Sequence, residues 1–137
     1  MIKRKKWDPD FHGLATRVVT RLCQIGEATA KPLAPANTGD LRDSIGYEVD
    51  AGLTGVTGRV YAGAEHAEPV EMGTEPHFPP LDALREWARL VLEDEDAAYP
   101  IARKIAKVGT EPQPFMTPAF EEMVRSAADV VRQERRR

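Results

Sequence analysis

One cysteine, Cys23, in 137 residues excludes an internal disulfide, and the three histidines and Cys23 have no zinc-site spacing. Inside an apolar helical stripe, Cys23 reads as a small core residue rather than a nucleophile. No apolar run approaches the ~20 residues needed to span a bilayer, so no membrane-spanning helix is expected. Aromatic residues are sparse at 7%, and Trp7, Trp87 and Tyr99 are scattered, which excludes a stacking platform for single-stranded nucleic acid. Gly52, Gly55, Gly58 and Gly63 lack the helix start that a dinucleotide fingerprint requires, and Ser44 lacks a nucleophile elbow.

What remains is ordinary for one globular domain spanning residues 1–137, with 42% apolar and 30% charged residues. The formal charge of −3 hides an asymmetry. Lys3 to Lys6 and the arginines at 132, 135, 136 and 137 form basic tails at 1–6 and 132–137. Removing those eight cations leaves 11 Lys and Arg against 21 Asp and Glu between Trp7 and Val131, a net of −10. An acidic body with two basic tails does not match a domain that reads DNA along one basic face, and the tails read as solvated, frayed termini. The basic start would suit a signal peptide, but Asp8, Asp10 and His12 occupy the place of the apolar region, so the chain reads as intracellular.

Asp8-Pro9 reads as the start of a long helix over 8–31, with Phe11, Leu14, Val18, Leu22 and Ile25 on one face. Gly13 and Gly26 weaken it, and Pro32 and Pro35 should end it near Ala30. A tight turn over Asn37 to Asp40 should point Leu41 inward and bring Arg42 to a carboxylate or carbonyl, as a structural anchor. Alternating apolar residues over 44–63 read as a β-hairpin, which needs helices, a further strand or a neighbouring subunit for stability.

From Tyr61 to Pro80 the chain is dense in polar and special-backbone residues. Glu65, His66, Glu68, Glu71, Glu75 and His77 could be read as a metal or acid/base cluster, but none supplies the i, i+4 histidine pair of HExxH. Solvated acids on an architectural turn account for them, and neither cofactor nor metal is expected. Gly73 should end a short helix in the left-handed conformation. Residues 80–108 read as an inserted helical hairpin, with Asp96 capping its second helix. The insert lies between two GTEP tetrapeptides, at Gly73 to Pro76 and Gly109 to Pro112, which read as helix-ending turns of similar chemistry. Pro114 to Met116 reads as a short extended piece, and Thr117-Pro118 as the cap of a last helix within 115–134. The fold class is thus α+β, with a small antiparallel sheet (the hairpin plus one or more short strands) packed by a long N-terminal and a C-terminal helix.

Four spaced pieces carry a resemblance. They are A-P-x-x-T-G-x-L-R-x-S-I from Ala34 to Ile45, the strand ending at Tyr61-Ala62, V-E-x-G-T from Val70 to Thr74, and P-F-x-x-P-A-F from Pro114 to Phe120. In this order they resemble the small tail-component proteins of long-tailed bacteriophages, described as head–tail joining, neck or tail-completion proteins. The segment from Pro76 through the following helices looks like a longer version of that family. The resemblance implies a structural virion protein without enzymatic activity, from a phage or prophage, which assembles as a homo-oligomeric ring. Its partners would be itself, other neck or tail proteins, and DNA passing through the ring without sequence-specific contact. Its place would be the virion, with assembly in the host cytoplasm, and it would need no membrane. On this reading Thr38, Gly39, Leu41, Arg42, Glu71, Gly73, Thr74, Pro114 and Phe115 form the structural motif. Two other classes stand beside it: a nucleic-acid-binding accessory protein using its terminal cations, and a metal-dependent hydrolase using His66, Glu71 and His77.

Overall fold

The structure, a computed structural model, describes residues 9–35 and 39–136. It is α+β, as the patterning implies, with helices and a two-stranded antiparallel sheet; the further short strand expected beside the hairpin is not found among the described residues, where Thr74 and Thr110 form only an isolated bridge. Helix α1 (Pro9–Leu33) opens on a proline, where the missing N–H is no loss; Asp8 lies outside the described residues. It passes the expected stop at Ala30. Pro32 sits in the last turn, where its ring sacrifices a single intrahelical bond, and Ala34 still closes onto the Ala30 carbonyl at 3.0 Å. After a short α2 (Asp40–Asp43), β1 (Ile45–Ala51) and β2 (Val56–Ala62) pair with Ile45 opposite Ala62 and Val49 opposite Gly58.

One face of this hairpin lies on α1, and α6 (Met116–Arg135) packs along α1 as well. The contact is close because two positions lack side chains. A Cβ on Gly58 would stand 2.5 Å from both Val19 and Cys23, and one on Gly26 2.5 Å from the Met123 sulfur. Gly26, which costs α1 some helix propensity, is thus where β2 and α6 reach it. The core gathers Ala30, Ala34, Leu41, Ile45, Phe115 and Ala119, with Val60, Ala62, Val70 and Met116 around them.

Cys23 belongs to this packed region at 1% exposure. Burial pushes its thiol up from the ordinary range, outweighing the backbone contact from Arg59, which opposes thiolate chemistry. Much of the C-terminal basic tail is helix rather than a frayed end, since α6 continues through Arg135. Its one acid, Glu134, is buried, accepting from Arg17 Nε and Arg21 Nη1, each at 3.1 Å. Arg132 pairs with Asp129. The N-terminal basic tail lies outside the described residues.

Between α3 (Ala67–Met72) and α6 stands the expected insertion: α4 (Leu81–Val91), a 3-10 turn (Glu95–Ala97) and α5 (Ala98–Val108). Asp96 does not cap α5, which starts at Ala98 without a side-chain cap; it lies inside the 3-10 turn, whose cap is Asp94, accepting from the Asp96 N–H at 3.0 Å. These helices pack chiefly on one another, burying Ala88, Ala98 and Ala102.

Candidate functional site

The residues of α3 and of the approach to α6 meet through Glu71. No side chain within α6 caps its start, which leaves backbone N–H groups of the first turn without intrahelical partners. The Glu71 carboxylate supplies the acceptors from another element. Its Oε2 accepts from the N–H of Phe115 at 2.7 Å and of Met116 at 2.9 Å. Its Oε1 accepts from the Thr117 N–H at 2.9 Å and the Thr117 hydroxyl at 2.6 Å. The negative charge also sits where the helix dipole favours it. Thr117, which its position before Pro118 marks as the cap, is instead a donor inside the first turn. Met116 is helical rather than extended.

Burial works against ionisation of Glu71. The hydrogen bonds from the Thr117 hydroxyl and from the Met116, Phe115 and Thr117 amides outweigh it and hold the carboxyl below its ordinary range. Four donors on two oxygens leave this carboxylate engaged as a clamp, ill placed to act as a base or metal ligand. Phe115 is fixed twice, by its N–H on Glu71 and by its ring, which is fully buried. Pro114 stands exposed beside it, while the Gln113 N–H donates to the Val70 carbonyl at 2.8 Å.

The two GTEP tetrapeptides turn out to pair with each other. Thr74 and Thr110 form an antiparallel bridge: each N–H donates to the other's carbonyl, at 3.1 and 3.0 Å, and the two hydroxyls lie 2.8 Å apart. Gly73 and Gly109 precede them as the ends of α3 and α5, with φ of 74° and 71°. Their ψ values, 174° and −157°, are extended, so Gly73 does not take the left-handed helical conformation expected of it. This region of backbone space is essentially reserved for glycine. The exclusion of side chains is reciprocal. A Cβ on Gly73 would lie 2.6 Å from the Thr110 carbonyl oxygen, and one on Gly109 would collide with that of Thr74. The two ends of the insertion are thus clasped at its base, and the His77 N–H extends the clasp to the Ile105 carbonyl at 3.3 Å.

Glu71, Gly73, Thr74, Pro114 and Phe115 therefore share one junction. Leu41 joins it through the core, where it and Phe115 are buried together. Gly39, with φ of 86°, starts α2, and Arg42 Nε donates to the Lys31 carbonyl at the end of α1 at 3.0 Å. Thr38 lies outside the described residues. The histidines are not drawn in: His66 stands at the start of α3, exposed, and the exposed His77 bonds the Glu75 carbonyl through Nδ1 at 2.9 Å. Among the described residues, no three His, Cys, Asp or Glu side chains gather as a metal site. Sequence reasoning gave Thr117 as a local cap and missed Gly109, Thr110 and Glu134 as members of the framework. The duplicated GTEP was a signal for the first two, and an acid inside an arginine run for the last.

Beside the junction, a groove of 540 Å³ separates β2 from the start of α6, lined by Gly58, Val60, Glu71, Met116, Phe120 and Met123. Phe120 and Val124 on α6 remain more than 60% exposed, apolar side chains that the rest of the structure leaves uncovered.

No curated protein and no solved structure matches the chain. Its residues 1–73, from the N-terminus to the first glycine of the clasp, match the family described as "Bacteriophage HK97-gp10, putative tail-component", and the chain belongs to this HK97-gp10-like family.

Proposed function

We propose that this protein is a structural part of a tailed phage or prophage, built into the head–tail junction or the tail end as a homo-oligomeric ring and carrying no enzymatic activity. The observation that carries the reading is membership of a family of phage tail components across the first 73 residues. The geometry supports it through the junction. The residues Gly39, Leu41, Arg42, Glu71, Gly73, Thr74, Pro114 and Phe115 act as scaffold, with Thr38 in the same motif, and together they make one domain. The apolar side chains left exposed on α6 offer surface to neighbouring tail or neck proteins. In a closed ring each subunit uses two different surfaces head to tail. The net negative body lets DNA pass without adhering.

Electron microscopy of the purified full chain tests this directly, with rings enclosing an axial hole as the expected result. Deleting the gene from its phage or prophage should leave heads and tails unjoined or tails of aberrant end structure. Normal infectious particles from the deletion strain would overturn the reading. Tight DNA binding that vanishes with rising salt would favour the accessory protein instead.

A further inference from the structure

We infer that the inserted helical pair is a docking arm for a second copy of this chain, the tip of one insert seating on the outer face of α5 in the next. This rests on the ring reading above and names one of its contact surfaces. The insert packs mainly on itself, and its large apolar residues are not covered by the rest of the chain: Leu90 and Leu92 at the end of α4 and Tyr99 at the start of α5 are 50%, 47% and 55% exposed. They flank an acidic tip, Glu93 to Asp96, all exposed. On α5, Pro100, Arg103, Lys104 and Lys107 line an open recess of 370 Å³.

The two surfaces have opposite charge, and no described residue neutralises either. Among the described residues Glu93, Glu95 and Asp96 form no ion pair, and neither do Arg103, Lys104 or Lys107. Within one copy the helix separates the tip from the far end of the recess: at about 1.5 Å per residue, Lys107 lies roughly 13 Å along α5 from its start next to the tip. In two copies the tip of one can meet the recess of the other. When each copy gives its tip to one neighbour and its recess to another, the contact is heterologous and leaves a free tip and a free recess for ring closure.

Glu93 adds an observation of its own. It holds a φ of 55° where α4 closes, with the Leu92 and Asp94 N–H groups both on the Ala88 carbonyl, at 3.0 and 3.2 Å. Glycine is the residue that favours this left-handed closing position. A glutamate there gives up fold stability to keep a carboxylate at the tip.

Sedimentation velocity of the full chain across a concentration series, at low and high salt, tests the arm. Wild type should associate, less so at high salt. Glu93→Lys with Glu95→Lys reverses the tip, and Lys104→Glu with Lys107→Glu reverses the recess. Each should weaken self-association at least tenfold, and an equimolar mixture of the two should assemble again, since each tip then meets a recess of opposite charge. Glu93→Gly should raise the unfolding temperature while weakening association, which separates the arm from any loss of folding. If wild type forms rings and the charge-reversed chains form them equally well, the arm is wrong and the ring reading stands. A mixture that fails to recover would likewise overturn the arm. Wild type that stays monomeric at every concentration would sink the ring reading and the arm together.

Discussion

The frame made by α1, the hairpin and α6 buries Phe115 completely and encloses the Glu134 carboxylate, whereas the inserted pair α4–α5 buries three alanines and leaves Leu90, Leu92 and Tyr99 about half exposed. Both regions have amphipathic helices of good pattern. They differ in what lies opposite the apolar face. In the frame, a sheet and a second long helix close over it, so stability comes from removing apolar area from water. In the insert, two short helices cover little of each other, and position comes instead from the clasp at the base. The matched family segment, residues 1–73, is not the whole of the frame: α6 lies outside it and is fastened back by Glu71.

Phe115→Ala should break the frame most severely, by about 4 kcal/mol in denaturant unfolding, because it empties a fully buried aromatic site. If it costs no more than Leu90→Ala in the insert, expected at roughly 0.5 kcal/mol or less, the contrast between the two regions is false. Gly109→Ala should follow at about 3 kcal/mol, since positive φ strain adds to a collision with the Thr74 carbonyl. Gly73→Val should behave similarly, and Glu68→Ala on exposed α3 should change stability by no more than roughly 0.5 kcal/mol.

Glu71→Gln should cost about 2 kcal/mol near neutral pH, by weakening a charged cap on three amides and a hydroxyl. The sign of its pH dependence follows from a carboxyl whose folded pKa is lowered. The wild-type advantage is fully present above the ordinary glutamate range, roughly pH 4.3, and is lost as pH falls through the lower folded value. Unfolding curves of wild type and Glu71→Gln from pH 7 to pH 3 should converge at the acid end. Excising residues 75–109 and joining Thr74 to Thr110 through a two-residue turn should leave the frame folded, within about 1 kcal/mol. The bridge already holds those ends at hairpin distance. Loss of cooperative unfolding in that variant would show that the insert supports the frame.

The local elements were legible where a period was long or a stop was strong. The apolar steps of α1, the alternation from Ile45 to Ala62 and the glycines at 73 and 109 each follow from backbone geometry within a few residues. Boundaries failed by a turn: Pro32 did not stop α1, and a 3-10 turn capped by Asp94 put Asp96 ahead of α5 instead of at its cap. The Thr117-Pro118 signature is that of a local cap, and only the arrival of Glu71 from α3 shows that Thr117 donates to a distant acceptor.

By itself the sequence determined the longer helices, the hairpin, the position of α4 and α5, and the family match over residues 1–73, because each depends on residue type and spacing along the chain. Tertiary structure alone decided that the two GTEP turns clasp each other, that Glu71 caps α6, and that Glu134 in an arginine-rich end is buried between Arg17 and Arg21. These contacts join groups more than thirty residues apart. Their energy lies in satisfying donors and charges that local chemistry leaves open, and no local pattern names the partner.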